Sequence, residues 1–134
     1  MRSEDGRQEA PQKLQRFIKR LLDQGEEPVQ VAPALLQSQA TDRMLAIARM
    51  GMLDRVLGYL VTTKRSVHFV RPGILWDRVQ TVPLEGIDGV EYVDEFHTNT
   101  LSLKVGGASE RIVFYDERDG IWFYRYVKYR QWQA

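Results

Sequence analysis

From Leu57 onward the chain reads in period two. Leu57 to Thr63, Ser66 to Arg71, Ile74 to Pro83, Val90 to Glu95, Leu101 to Val105 and Arg111 to Tyr115 are short runs of branched and aromatic residues, each bounded by turn residues. Alternation of this kind sends successive side chains to opposite faces of a sheet. The gaps between the runs are too short for crossover helices, so the pattern predicts antiparallel neighbours in a meander. Pro72-Gly73 supplies a tight reversal, and Gly106-Gly107 tolerates the positive φ of a hairpin turn.

The first forty residues follow a different period. Leu14, Phe17, Ile18, Leu21 and Leu22 recur at i, i+3, i+4, i+7 and i+8, which places them on one helical face, with Pro11 suited to the first turn and Gly25 to the stop. Pro28 and Pro33 then break any longer helix, so residues 26 to 40 read as a linker with one or two helical turns over Ala34 to Ala40. This divides the chain into an N-terminal helical extension and linker, 1–40, and a domain over 41–134. Two segments read ambiguously. Asp42 to Leu53 is rich in good helix formers, weakened by Gly51. Ile121 to Trp132 follows Asp119-Gly120, which suits a hairpin turn. It also places Trp122, Phe123, Tyr126 and Val127 on one helical face, with acids before it and Lys128 and Arg130 at its end, and the helix is preferred.

Length and composition narrow the chemistry. A chain of 134 residues is long enough to build its own core, and the absence of cysteine removes thiol, iron–sulfur and cysteine–zinc chemistry. The polar start, Met1 to Arg7, lacks the apolar segment of a secretory signal, and no apolar run reaches the roughly 20 residues of a membrane span, so a soluble cytoplasmic protein is expected.

The segment Gly58-Tyr59-Leu60-Val61-Thr62-Thr63-Lys64-Arg65-Ser66-Val67-His68-Phe69 resembles the strand–turn–strand of bacterial pleckstrin-homology-like domains, in particular the YokE-like family. Val82-Pro83-Leu84-Glu85-Gly86-Ile87-Asp88-Gly89-Val90 is similar to that family's Pro-Leu-x-x-Ile-x-x-Val step, and the Phe123 to Val127 spacing to its closing helix. The resemblance spans roughly residues 42 to 130 and implies an α+β, mainly β fold: a seven-stranded, strongly bent antiparallel sheet of the PH-like barrel type, closed by a C-terminal helix. It makes Arg43 to Met50 the first strand, against local propensity. Val61, Val67, Phe69, Leu84, Ile87, Val90, Leu101, Leu103, Ile112, Phe114, Phe123 and Val127 would then form the core. It also implies a binding module rather than an enzyme, in a family some of whose members form rings.

The residues agree with a non-catalytic reading. There is no phosphate-binding glycine loop and no nucleophile elbow, and His68 and His97 lie in different elements without the i, i+4 spacing of a helical metal pair. His68 reads as a residue on the outward face of a strand, and His97 as one near a turn. Asp94 and Glu95, adjacent on one strand, face opposite ways. No metal, cofactor, small-molecule substrate or nucleic-acid motif is indicated.

What remains is surface. Residues 41 to 75 carry Arg43, Arg49, Arg55, Lys64, Arg65 and Arg71 against Asp42 and Asp54, a net charge of +4. Residues 84 to 97 carry Glu85, Asp88, Glu91, Asp94 and Glu95 with no Lys or Arg, a net charge of −5. Complementary faces of this kind suit head-to-tail association with another copy. Tyr124, Tyr129 and Trp132, on the side of the closing helix away from its core face, have the composition of a protein interface, although packing over the N-terminal helix is the preferred reading. Lys13, Arg16, Lys19 and Arg20 border the N-terminal helix's apolar face and offer a weaker alternative, contact with an anionic membrane, opposed by Asp23, Glu26 and Glu27. The expected function is therefore a self-associating protein-interaction module, with anionic lipid as the alternative ligand.

Overall fold

The computed structural model describes residues 11–94 and 99–133. Seven strands form one antiparallel sheet: β1 (Gln30–Leu36), β2 (Tyr59–Thr62), β3 (Ser66–Arg71), β4 (Arg78–Pro83), β5 (Ile87–Tyr92), β6 (Thr100–Val105) and β7 (Ala108–Phe114), in the order β4-β3-β2-β1-β7-β6-β5. Three α-helices accompany it: α1 (Gln15–Asp23), α2 (Asp42–Arg49) and α3 (Glu117–Gln133). The sheet bends round its core without closing, and β4 and β5 are its two edges. The expected α+β class, seven strands and C-terminal helix are all present.

The strand at the centre of the sheet is the one the sequence concealed. β1 pairs with β2 through Gln30↔Thr62 to Pro33↔Tyr59, then with β7 through Ala34↔Phe114 to Leu36↔Ile112. It is covered on both faces, so its apolar residues form a run instead of alternating. Pro33 sits where the pairing changes partner. Its carbonyl accepts from Tyr115 on the β7 side, so the donor it lacks would point past Phe114, the last residue of the β1–β7 ladder. The linker expected over 26–40 is thus replaced by a strand and a single 3-10 turn at Gln37–Gln39, and the sheet draws on residues from both sides of position 41.

The first strand expected at Arg43 to Met50 is corrected as well: it is α2. The Thr41 hydroxyl accepts from the Met44 amide at 3.2 Å, Asp42 lies in the first turn and Arg49 in the last, and Gly51 follows at φ 69°. Propensity and capping agree here and override the resemblance. α2 buries Leu45 and Ala48 against Leu35, Val113 and Tyr115.

The core lies between the inner face of the sheet and α3. Phe123 and Val127 pack among Phe69, Leu101, Ile112 and Phe114, and the expected core residues are all buried. Val61, however, faces the other way. With Val31, Tyr59 and Val70 it forms the outer face on which Leu14, Phe17 and Leu21 are buried. The N-terminal helix is therefore docked, not pendant. The β6–β7 turn uses Gly106 and Gly107 at φ 58° and 84°, as its chemistry requires.

Candidate functional site

Strand register decides which surface charges can act together. Tyr59 pairs with Val70 and Thr62 with Val67, so Lys64 and Arg65 lie at one end of β2–β3, whereas Arg55, before β2, and Arg71, at the end of β3, lie at the other. The single basic face expected over residues 41 to 75 is not assembled. Arg71 is committed internally, donating from Nη1 to the Gln39 carbonyl at 2.7 Å. At the β2–β3 turn the Thr63 hydroxyl accepts from the Arg65 and Ser66 amides, each at 3.2 Å, and leaves Lys64 and Arg65 exposed.

The acidic strip follows edge strand β5. Glu85, Asp88, Glu91 and Asp94 are exposed, and Glu95 and His97 lie outside the described residues. Lys128 of α3 donates to Glu91 at 2.7 Å, and this partner raises the lysine's pKa. Asp88 accepts from the Gly106 amide at 2.8 Å. Between the 84–86 turn and the end of α3 an open groove of about 750 Å³ is floored by Leu84, Ile87 and Val127 and rimmed by Glu85, Asp88 and Arg130.

α3 presents the second surface. Phe123 and Val127 take the core positions and the half-buried Tyr126 packs against the same cluster, whereas Trp122, expected there too, is exposed and stacks on Tyr126 with ring centroids 5.0 Å apart and planes 11° apart. Arg118, Ile121, Arg125 and Tyr129 share this face. Tyr124 instead turns towards β5 and stacks on Tyr92 at 4.5 Å. Tyr129 and Trp132 are exposed. α1 and α3 pack on opposite faces of the sheet, so α1 does not cover these aromatics.

His68 lies on the outer face of β3, as expected for its strand position, but α1 covers it. Its Nδ1 is 2.8 Å from the Thr81 hydroxyl, the Phe17 ring meets it edge-on at 5.3 Å, and Nε2 is 3.9 Å from the Glu26 carboxylate. Burial lowers its pKa, opposed by Glu26. Among the described residues no three His, Asp or Glu side chains gather as metal ligands. No helix among them is long and apolar enough to cross a membrane.

The strand expected over Ile74 to Pro83 begins only at Arg78, and Ile74, Leu75 and Trp76 stand exposed in the six-residue loop 72–77. The signal was present: three consecutive large apolar residues break the period of two. Lys13, Arg16, Lys19 and Arg20 are exposed on the helical segment beside it, and Arg16 donates to Asp77 at 2.6 Å.

No family model and no curated protein matches the chain. Among solved structures it is similar to the C-terminal domain of an unknown protein from Leishmania infantum. The two are 16% identical with a TM-score of 0.52, over 79% of this chain and 87% of that one. What they share is a fold.

Proposed function

We propose that this chain is a non-catalytic, cytoplasmic protein-interaction module that associates with copies of itself through the outer face of α3. The observation that carries this reading is the aromatic and arginine surface formed by Trp122, Tyr126 and Tyr129 with Arg118 and Arg125. Trp, Tyr and Arg dominate the binding energy of protein interfaces because they bury large area at low entropic cost and retain a polar handle. The resemblance to bacterial pleckstrin-homology-like domains supports the same reading. The complementary surface on a second copy is the groove beside β5, with an apolar floor and Glu85 and Asp88 on its rim. Two different patches in contact make a heterologous interface, which closes into a ring or extends as a filament.

Light scattering coupled to size-exclusion chromatography tests this with the wild type, a Trp122→Ala/Tyr129→Ala variant and a Glu85→Lys/Asp88→Lys variant. The wild type should form an oligomer that weakens with salt, and each variant should dissociate it. A wild type that elutes at 15.6 kDa at every concentration would refute self-association.

A further inference from the structure

Ile74, Leu75 and Trp76 are 97, 77 and 70% exposed, three consecutive large apolar side chains at the tip of the β3–β4 hairpin. The loop that displays them is built tightly. The Asp77 side chain is fully buried; it accepts from the Gly73 amide at 3.3 Å and from Arg16 at 2.6 Å, and Arg20 lies 3.9 Å away. A Cβ on Gly73 would collide with the Trp76 carbonyl, so the chain folds back on itself with no slack. The apolar tip is thus held out from the fold by a defined clasp.

Three exposed cations gather around the tip. Arg16 and Arg20 keep half or more of their side-chain surface exposed while clasping the loop, and Arg78 stands exposed where the loop enters β4. The loop's own acid, Asp77, is withdrawn into the clasp. The acids of α1 and the segment after it, which seemed to oppose membrane contact, run towards the opposite end of β2, where Glu26 accepts from the Thr63 hydroxyl at 2.9 Å. The apolar face of α1 is spent on the sheet, so this helix cannot insert; its cations can still lie against a surface.

We propose that the Ile74–Trp76 tip inserts into the interfacial region of an anionic phospholipid bilayer, with Arg16, Arg20 and Arg78 against the lipid phosphates. A protruding apolar wedge with a cationic collar matches such a surface twice: hydrocarbon takes the wedge, and negative headgroups take the collar. Tryptophan belongs at that depth, with its ring in the apolar layer and its indole N–H in the headgroups. The contact reads surface charge and depth, with no preference for one anionic headgroup. It lies at the opposite end of β2 and β3 from the Lys64 turn, where Arg130 of α3 donates to the Lys64 carbonyl at 2.7 Å.

The test uses the full chain with vesicles of phosphatidylcholine alone and of phosphatidylcholine with phosphatidylserine. The wild type should sediment with the phosphatidylserine vesicles and release with salt. In a Trp122→Phe/Trp132→Phe background, Trp76 emission should shift to the blue on binding. Ile74→Ser/Leu75→Ser should weaken partitioning at least about tenfold, and Arg78→Glu about fivefold or more. The urea midpoint should stay that of the wild type in Ile74→Ser/Leu75→Ser, since the tip is exposed. No binding to either vesicle would overturn the proposal, as would binding by Ile74→Ser/Leu75→Ser equal to wild type, or unchanged Trp76 emission. If Ile74→Ser/Leu75→Ser changes the oligomer while the wild type ignores vesicles, the tip serves a protein contact and the proposal fails.

Discussion

Leu14→Ala isolates what the N-terminal helix contributes. Leu14 is 0% exposed and lies with Phe17 and Leu21 over Val31, Tyr59, Val61 and Val70. Its truncation removes the transfer free energy of a fully buried side chain and leaves a cavity against a sheet whose backbone is pinned by pairing on both sides. Leucine truncations at such sites cost about 2–5 kcal/mol, and the rigid floor argues for about 3. A nine-residue helix has little stability in water by itself, so α1 depends on this contact. With a urea slope of about 1–3 kcal/mol/M, the midpoint should fall by about 1–3 M without a change of slope. The control is Leu22→Ala, on α1 itself but 54% exposed, which should shift stability by no more than about 0.5 kcal/mol. Urea titrations followed by far-UV circular dichroism measure both. If the two variants unfold together, α1 is not part of the cooperative fold and the account of the outer face is wrong.

Three further outcomes follow from individual contacts. Burial depresses the His68 pKa, so between its folded value and its unfolded value near 6.5 the unfolded chain binds the extra proton; stability should fall as pH drops through that window, and His68→Gln should flatten the dependence of the urea midpoint between about pH 7.5 and 5.5. Gly58→Ala would place a Cβ 2.7 Å from Leu35 Cδ2 and 3.0 Å from the Ala34 carbonyl, so thermal unfolding should show a loss of about 1–3 kcal/mol. Tyr115→Phe removes a hydroxyl that accepts from the Leu57 amide at 3.1 Å and donates to the Arg55 carbonyl at 3.2 Å; a loss of about 1–2 kcal/mol is expected, together with faster hydrogen exchange at Leu57.

How far the sequence could be read depended on whether a segment's pattern recorded one environment or two. β3 and β7 each have one face towards α3 and the core and the other beneath a helix, yet their turns and branched residues marked them. β1 has the same double burial but carries Pro33, whose compatibility depends on a change of pairing partner that only the folded sheet reveals. β5 was displaced by three residues because Gly89 falls at a register shift, where alternation is interrupted. α2 was legible from the helix formers of 42–53; Gly51, which ends the helix at φ 69°, and the resemblance argued otherwise. Among surface residues, charge counted along the chain misled: Lys64 and Arg71 are seven residues apart but at opposite ends of one hairpin. Trp122 shares a stripe with Phe123, Tyr126 and Val127, and residue type could not say that it alone turns outward. The Ile74–Trp76 tip is hidden because an apolar run that adjoins a strand has the same composition as the strand itself.

Sedimentation velocity of the wild-type chain across a concentration series tests self-association most directly. The weight-average sedimentation coefficient should rise with concentration and fall when salt is added. A single coefficient of a 15.6 kDa monomer, unchanged from the most dilute to the most concentrated sample, would contradict it.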